Sequence, residues 1–179
     1  MPEPGSPINE VVSLRDGSEV RLRPIGAEDQ SRLQDLLDHM SIDDIRRRFF
    51  APIHEFSPAL SWHLSHPDPA REFAIVAVPL DREELLGVAR FAEEEGRRAE
   101  YAIVVRTDMK GHGLGYLMFG RLIDRARERG IVELWGDVLR DNDPMLQMAH
   151  ELGFAAEQHP AEPSLLRVRK QLDPAGERG

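Results

Sequence analysis

The chain has 179 residues, with 23 basic and 32 acidic side chains and a formal net charge of −9 at pH 7. That length fits one domain whose core needs no disulfide or metal staple. The absence of cysteine removes a disulfide framework, a cysteine-ligated zinc and a thiol nucleophile. The longest uncharged apolar run, residues 73–80, falls far short of the roughly 20 residues of a membrane helix. The start MPEPGSPINE lacks the basic and apolar regions of a secretory leader. The expectation is a soluble, cytoplasmic protein whose negative charge disfavours sequence-blind nucleic-acid binding.

Residues 1–9 and 173–179 read as flexible tails rich in Pro and Gly, leaving one domain over 10–172. Val11–Leu14 and Val20–Arg23 flank Asp16-Gly17, a hairpin signal. Leu33, Leu36, Leu37 and Met40 recur at helical spacing within 27–40, and Ser41 with Asp43 and Asp44 opens a second short helix running to Arg48. A third short helix follows Ser57-Pro58. The period then changes, and Glu72–Val78, Leu85–Glu93 and Arg98–Val105 predict three successive antiparallel strands joined by charged turns. After a glycine-rich turn, Leu114, Leu117, Met118, Leu122, Ile123 and Ala126 form one apolar stripe on a helix reaching Arg129. Ile131–Val138 predicts a strand, and Asp143 as cap with Pro144 and a stop at Gly153 predicts a further helix. Phe154 and Leu165–Gln171 supply closing strands, giving an α+β domain with a mostly antiparallel sheet.

The chemistry concentrates in Lys110-Gly111-His112-Gly113-Leu114-Gly115. A strand runs through glycines into a helix, so first-turn N–H groups face outward without acceptors and make an anion site, with Lys110 beside it as a point charge. A nucleotide P-loop requires Gly-Lys followed by Ser or Thr, which is absent. A dinucleotide fingerprint matches Gly111 and Gly113 but meets Tyr116 where Gly or Ala is needed, leaving Asp137 as its only further support.

The same six residues resemble motif A of the GNAT acyltransferase superfamily, with lysine where glutamine or arginine is usual. The resemblance extends in order through Leu14-Arg15-Asp16-Gly17, Arg21–Ile25, Arg48-Phe49-Phe50, Gly87–Phe91, Ala99-Glu100-Tyr101-Ala102, Asn142, Met145 and Leu152-Gly153-Phe154. Its nearest likeness is to the acyltransferase domain of bacterial protein lysine acetyltransferases. That resemblance implies a twisted sheet splayed between the fourth and fifth strands of the family, here Arg98–Val105 and Ile131–Val138, flanked by helices. It also implies acetyl-CoA as co-substrate and no metal. Acetyl-CoA would be held by the backbone of Ile103, Val104 and Val105, by Lys110, Gly111, His112, Gly113, Leu114 and Gly115 around its pyrophosphate, and by Asn142 and Met145 along its pantetheine.

The family likeness further implies Glu100 as general base for the amine, which is mostly protonated at neutral pH. It implies the Val105 N–H as donor to the thioester oxygen as charge develops there. The usual tyrosine acid does not carry over, because Ala149 stands at its position. The alternative for Glu100 is a surface residue paired with Arg97 or Arg98; Glu93, Glu94 and Glu95 are neighbouring substitutes for its role. Without cysteine, direct attack in a ternary complex is expected.

The acceptor expected is a protein lysine side chain, with a protein such as an acyl-CoA synthetase among its partners. A polyamine or amino acid is the alternative acceptor, and a non-catalytic acyl-CoA-binding sensor is the rival class. The oligomeric state expected is monomer or homodimer. His63-x-x-His66 has helical spacing but no third metal ligand, and Arg46–Phe50 reads as a helix end whose phenylalanines enter the core.

Overall fold

The computed structural model describes residues 8–173, so the tail expectations for 1–7 and 174–179 lie outside the described residues. Eight strands form one sheet: β1 Glu10–Ser13, β2 Glu19–Pro24, β3 Glu72–Pro79, β4 Gly87–Glu94, β5 Arg98–Val105, β6 Glu133–Leu139, β7 Ala155–Gln158 and β8 Leu165–Gln171, in the order β1-β2-β3-β4-β5-β6-β8-β7. Every neighbouring pair is antiparallel except β5 with β6. The helices are α1 Gln30–Asp38, α2 Ile42–Phe49, α3 Pro58–Ser65, α4 Leu114–Glu128 and α5 Asp143–Glu151. The expected elements are all present, within a few residues at their ends. The α+β expectation holds, and the split falls between the fifth and sixth strands counted along this chain.

Period-two alternation along the central strands divides the core between two helical layers. Ile75, Ala77, Ala89, Phe91, Ala99, Tyr101 and Ile103 pack with Met118, Phe119 and Leu122 of α4. From the opposite face, Ala74, Val76, Val78 and Val88 pack with Leu33 and Leu36 of α1. Ile8, just before the first strand, packs against the α4 side.

Local signals explain the helix ends. The Ser41 hydroxyl accepts from the Asp44 N–H (3.1 Å) to start α2, and the Ser57 hydroxyl accepts from the Leu60 N–H (3.1 Å) to start α3. The α5 cap is Asn142 rather than Asp143: its Oδ1 accepts from the Met145 N–H at 3.3 Å, which makes Asp143 the first helical residue and Pro144 the second. Gly153 ends α5 at φ 92°, a left-handed conformation that glycine adopts without a Cβ penalty.

A buried anchor fixes the first helical segment. Asp29 is fully inaccessible and accepts from both terminal nitrogens of Arg23 (2.8 Å each), from Arg32 (2.9 Å) and from the Gly26 N–H (2.9 Å). Burial alone would raise its carboxyl, but these donors together hold it below the usual carboxylate range.

Candidate active site

The site begins where two strands stop pairing. β5 and β6 pair only through Arg98–Glu133, Ala99–Leu134 and Glu100–Trp135. Beyond Glu100 the strands separate, because β5 stays with β4 as far as Val105 while β6 stays with β8 as far as Leu139. The Arg106 N–H donates to the Leu86 carbonyl (2.8 Å) on the β4 side, and the Arg97 carbonyl accepts from Val132 (2.8 Å) on the β6 side. With alternation along the strand, the main-chain groups of Tyr101, Ile103 and Val105 therefore face the gap, an unpaired edge inside the protein. The Val104 main chain turns to β4 instead, so its contribution to the gap is a side chain rather than an amide.

The glycine turn closes the wide end of this gap. Gly111 and Gly113 take φ 84° and 88°, a region other residues enter at a cost. Among the described residues, the N–H groups of Gly111 to Gly115 meet no protein acceptor. They converge at the start of α4, where the helix dipole adds positive potential. A Cβ built on Gly113 would lie 3.2 Å from Arg15 Nε. The turn is moored by the first hairpin: the Arg15 N–H donates to the His112 carbonyl (3.1 Å), and the His112 ring lies 3.5 Å from Asp16.

These contacts correct two side-chain expectations. Lys110 is not free beside the turn, because its ammonium pairs with the buried Asp44 on α2. Asp44 also accepts from the Thr107 hydroxyl (2.7 Å), which in turn accepts from the Ser41 N–H (2.8 Å). Burial raises the Asp44 carboxyl, yet the bonds from Lys110 and Thr107 bring it below the ordinary range. The His112 ring turns to the hairpin, leaving its N–H as its contribution. The cation over the turn is Arg15, whose guanidinium carbon sits 5.9 Å from the Tyr116 ring centre. Arg15 stands in the hairpin segment already singled out in the sequence, and only its docking on the turn reveals its use.

A cleft of about 290 Å³ runs from this turn into the gap. Glu100, Ile103, Val104, Val105, Lys110, Gly111, Gly113, Leu114, Gly115, Asn142 and Met145 all line it, so the structure brings together every expected site residue except His112. Arg15, Arg47, Arg48, Phe50, Tyr101 and Asp137, which sequence reasoning left without roles in this site, line it too. Phe50 does not enter the core; it is 45% exposed at the cleft, in a left-handed conformation that ends α2.

Glu100 marks the narrow end, as the last residue of β5 to pair with β6. Neither suggested arginine holds it: Arg97 donates to the Gly130 carbonyl (2.8 Å) and Arg98 to Glu133 (3.3 Å). Glu100 is exposed at the surface, yet partial desolvation of its carboxyl, reinforced by the negative charges of Asp137 and Glu94, pushes it above the usual range against the opposing charges of Arg48 and Arg167. Glu93 is bound to Arg129 (2.7 Å) and Glu94 accepts from the Trp135 indole (3.2 Å), so neither is free to replace it. Asp137 is held by Arg167 at 2.9 Å. Ala149 is 1% exposed inside the core, the Tyr116 hydroxyl is bonded to Glu151, and His150 points outward.

Residues 39–154 match the family model described as Acetyltransferase (GNAT) family. The chain belongs to the GNAT acetyltransferase family. It is 33% identical over 154 residues to acetyltransferase PA5475 of Pseudomonas aeruginosa, covering 84% of this chain and 82% of that protein. It is similar in structure to the GNAT domain of S. lividans PAT, with a TM-score of 0.85 at 25% identity, over 92% of this chain and 97% of that one. A cAMP-binding acyltransferase from Mycobacterium smegmatis matches with a TM-score of 0.64 at 25% identity, and this chain spans 48% of its length.

Membership makes this GNAT domain an acyltransferase that uses acetyl-CoA, and sets aside the non-catalytic module. The residues present fit that donor: an unpaired strand edge, a cradle of free N–H groups and a buried Asn142 line one continuous cleft. Among the described residues no group of three or more histidine, aspartate or glutamate side chains gathers to hold a metal, and His66 instead stacks on Trp62 with ring centres 4.3 Å apart. No helix among them is long and apolar enough to cross a membrane.

Proposed function

We propose that this GNAT domain transfers an acetyl group to the ε-amine of a protein lysine, by direct attack within a ternary complex. The observation that carries this reading is the placement of Glu100 where the β5–β6 gap narrows to a point. A donor lying along the gap presents its thioester to this carboxylate. Gly111 to Gly115 offer their N–H groups to the pyrophosphate, with Arg15 as the nearby cation. Ile103 and Val105 pair with the pantetheine amides as a neighbouring strand would. Asn142, Met145 and the Val104 side chain form the walls of that passage.

Glu100 accepts the proton that the attacking amine gives up, directly or through one water. Its raised carboxyl brings its basicity closer to what neutral pH requires. The carbon–nitrogen bond forms as the carbon–sulfur bond breaks, and the electron pair leaves with sulfur. As the thioester oxygen gains charge, a gap-facing main-chain N–H of β5 receives it, the donor expected at Val105 being one of these.

Protein lysine as acceptor is supported by the ordered resemblance to bacterial lysine acetyltransferase domains and by the exposed Phe50 that α2 presents at the cleft. The negative charges of Glu94, Glu100 and Asp137 favour a second class of acceptor, a small polyamine. Incubation with acetyl-CoA and separate panels of lysine peptides, folded acyl-CoA synthetases and polyamines, followed by free thiol release, distinguishes the two. Selective turnover of peptides or proteins supports the first; selective turnover of polyamines replaces it with the second.

A further inference from the structure

We propose that Tyr101, seated against Gly136 where β5 and β6 part, forms the end wall of the acyl channel and restricts the donor to a two-carbon acyl group. This rests on the reading above, in which the donor runs along β5. Gap-facing stations on β5 recur every second residue, about 6.6–6.8 Å apart. With the two pantetheine amides at Val105 and Ile103, the next station belongs to the acyl end, and that station is Tyr101.

The Tyr101 ring cannot retreat. A Cβ added to Gly136 would lie 2.5 Å from ring carbon Cε1 and 2.8 Å from Cζ, so the ring occupies the space that any larger residue on β6 would claim. On its other sides, the ring centre stands 4.6 Å from that of Phe119 and 5.7 Å from that of Phe154, both deeply buried. Tyr101 is 6% exposed and still lines the cleft.

The hydroxyl independently favours this station for the thioester. Tyr101 Oη is buried and has no hydrogen-bond partner, a costly state for a polar group. Burial, with the charge of Asp137 adding to it, raises this phenol well above its ordinary value, so it remains a donor. A thioester atom at this station relieves the unmet donor whatever its acyl chain, whereas a longer alkyl chain would need the volume that the ring fills. Tyr101 thus meets the thioester with its hydroxyl and excludes extra methylenes by the size of its ring.

The test compares kcat/KM for acetyl-, propionyl- and butyryl-CoA with a fixed amine, alongside CoA binding by thermal shift. Tyr101→Ala is expected to raise the butyryl-to-acetyl ratio at least about tenfold, the scale of discrimination carried by one or two methylenes. Tyr101→Phe, which keeps the wall and removes the donor, is expected to keep acetyl as the preferred donor. Gly136→Ala is expected to lower acetyl turnover, with recovery in the Tyr101→Ala/Gly136→Ala double variant. Tyr101→Leu provides the same readout if the alanine variant does not fold. An unchanged chain-length ratio in a truncated variant that still binds CoA overturns the proposal. A wild-type protein that releases no thiol from acetyl-CoA with any amine overturns the functional reading instead.

Discussion

Replacing Glu100 by Gln keeps the side chain's size and removes its capacity to take a proton. A free lysine has a pKa near 10.4, so at neutral pH fewer than about one amine in a thousand is unprotonated. A positioned base contributes roughly 10²–10⁴-fold to such a step. We therefore expect Glu100→Gln to lower kcat by about 10²-fold or more while leaving acetyl-CoA affinity unchanged, since Glu100 lies at the far end of the gap from the glycine turn. In the wild type, activity rises with pH as Glu100 loses its proton. The midpoint of that limb lies above the ordinary glutamate range because burial, Asp137 and Glu94 disfavour the charged form. Asp137→Asn removes a like charge and shifts the limb toward acid; Arg48→Met removes an opposite charge and shifts it toward alkali. Steady-state kinetics across pH, with thiol release as readout, check all three variants. A Glu100→Gln enzyme with wild-type kcat and an unmoved limb would refute the assignment.

Other perturbations separate cofactor grip from stability. A Cβ on Gly115 would meet Met148 Sδ at 3.5 Å and Met148 Cε and Val105 Cγ2 at 3.8 Å, all ordinary contacts, so Gly115→Ala is expected to melt like the wild type yet bind CoA at least about tenfold more weakly in calorimetry. Arg15→Ala should raise the KM for acetyl-CoA several-fold and flatten its salt dependence, whereas Lys110→Ala should chiefly lower the melting temperature, because Lys110 is engaged with Asp44. Arg23→Ala leaves the buried Asp29 without its two-bond partner and should cost about 3 kcal/mol in urea unfolding. The Asp29 carboxyl is depressed in the folded protein, so its contribution is present above the unfolded value near about 3.9 and fades as pH falls through the native value. The variant's stability should accordingly fall less steeply than the wild type's over that acid window.

The apolar periods exposed the fold because each element's pattern agrees with its burial. Leu33, Leu36 and Leu37 form a stripe and are buried against the sheet. The glycine turn was legible for a similar local reason, since positive φ and open N–H groups follow from the residues themselves. What stayed hidden was long-range. Nothing near Lys110 in sequence announces Asp44, which reaches it from α2, and nothing near the turn announces Arg15 from the first hairpin. The α5 cap moved by one residue because Asn142 and Asp143 are both good caps, and only the backbone angle decides between them. Tyr101 and Gly136 are ordinary strand residues until the register sets them side by side at the split.

A crystal structure of the protein with CoA bound would show directly whether the donor lies along the β5–β6 gap. We predict the diphosphate on the N–H groups of Gly111 to Gly115 and the pantetheine hydrogen-bonded to Ile103 and Val105, with its sulfur near Tyr101 and Glu100. A pantetheine lying elsewhere, with β5 and β6 paired beyond Glu100 and Trp135, would contradict it.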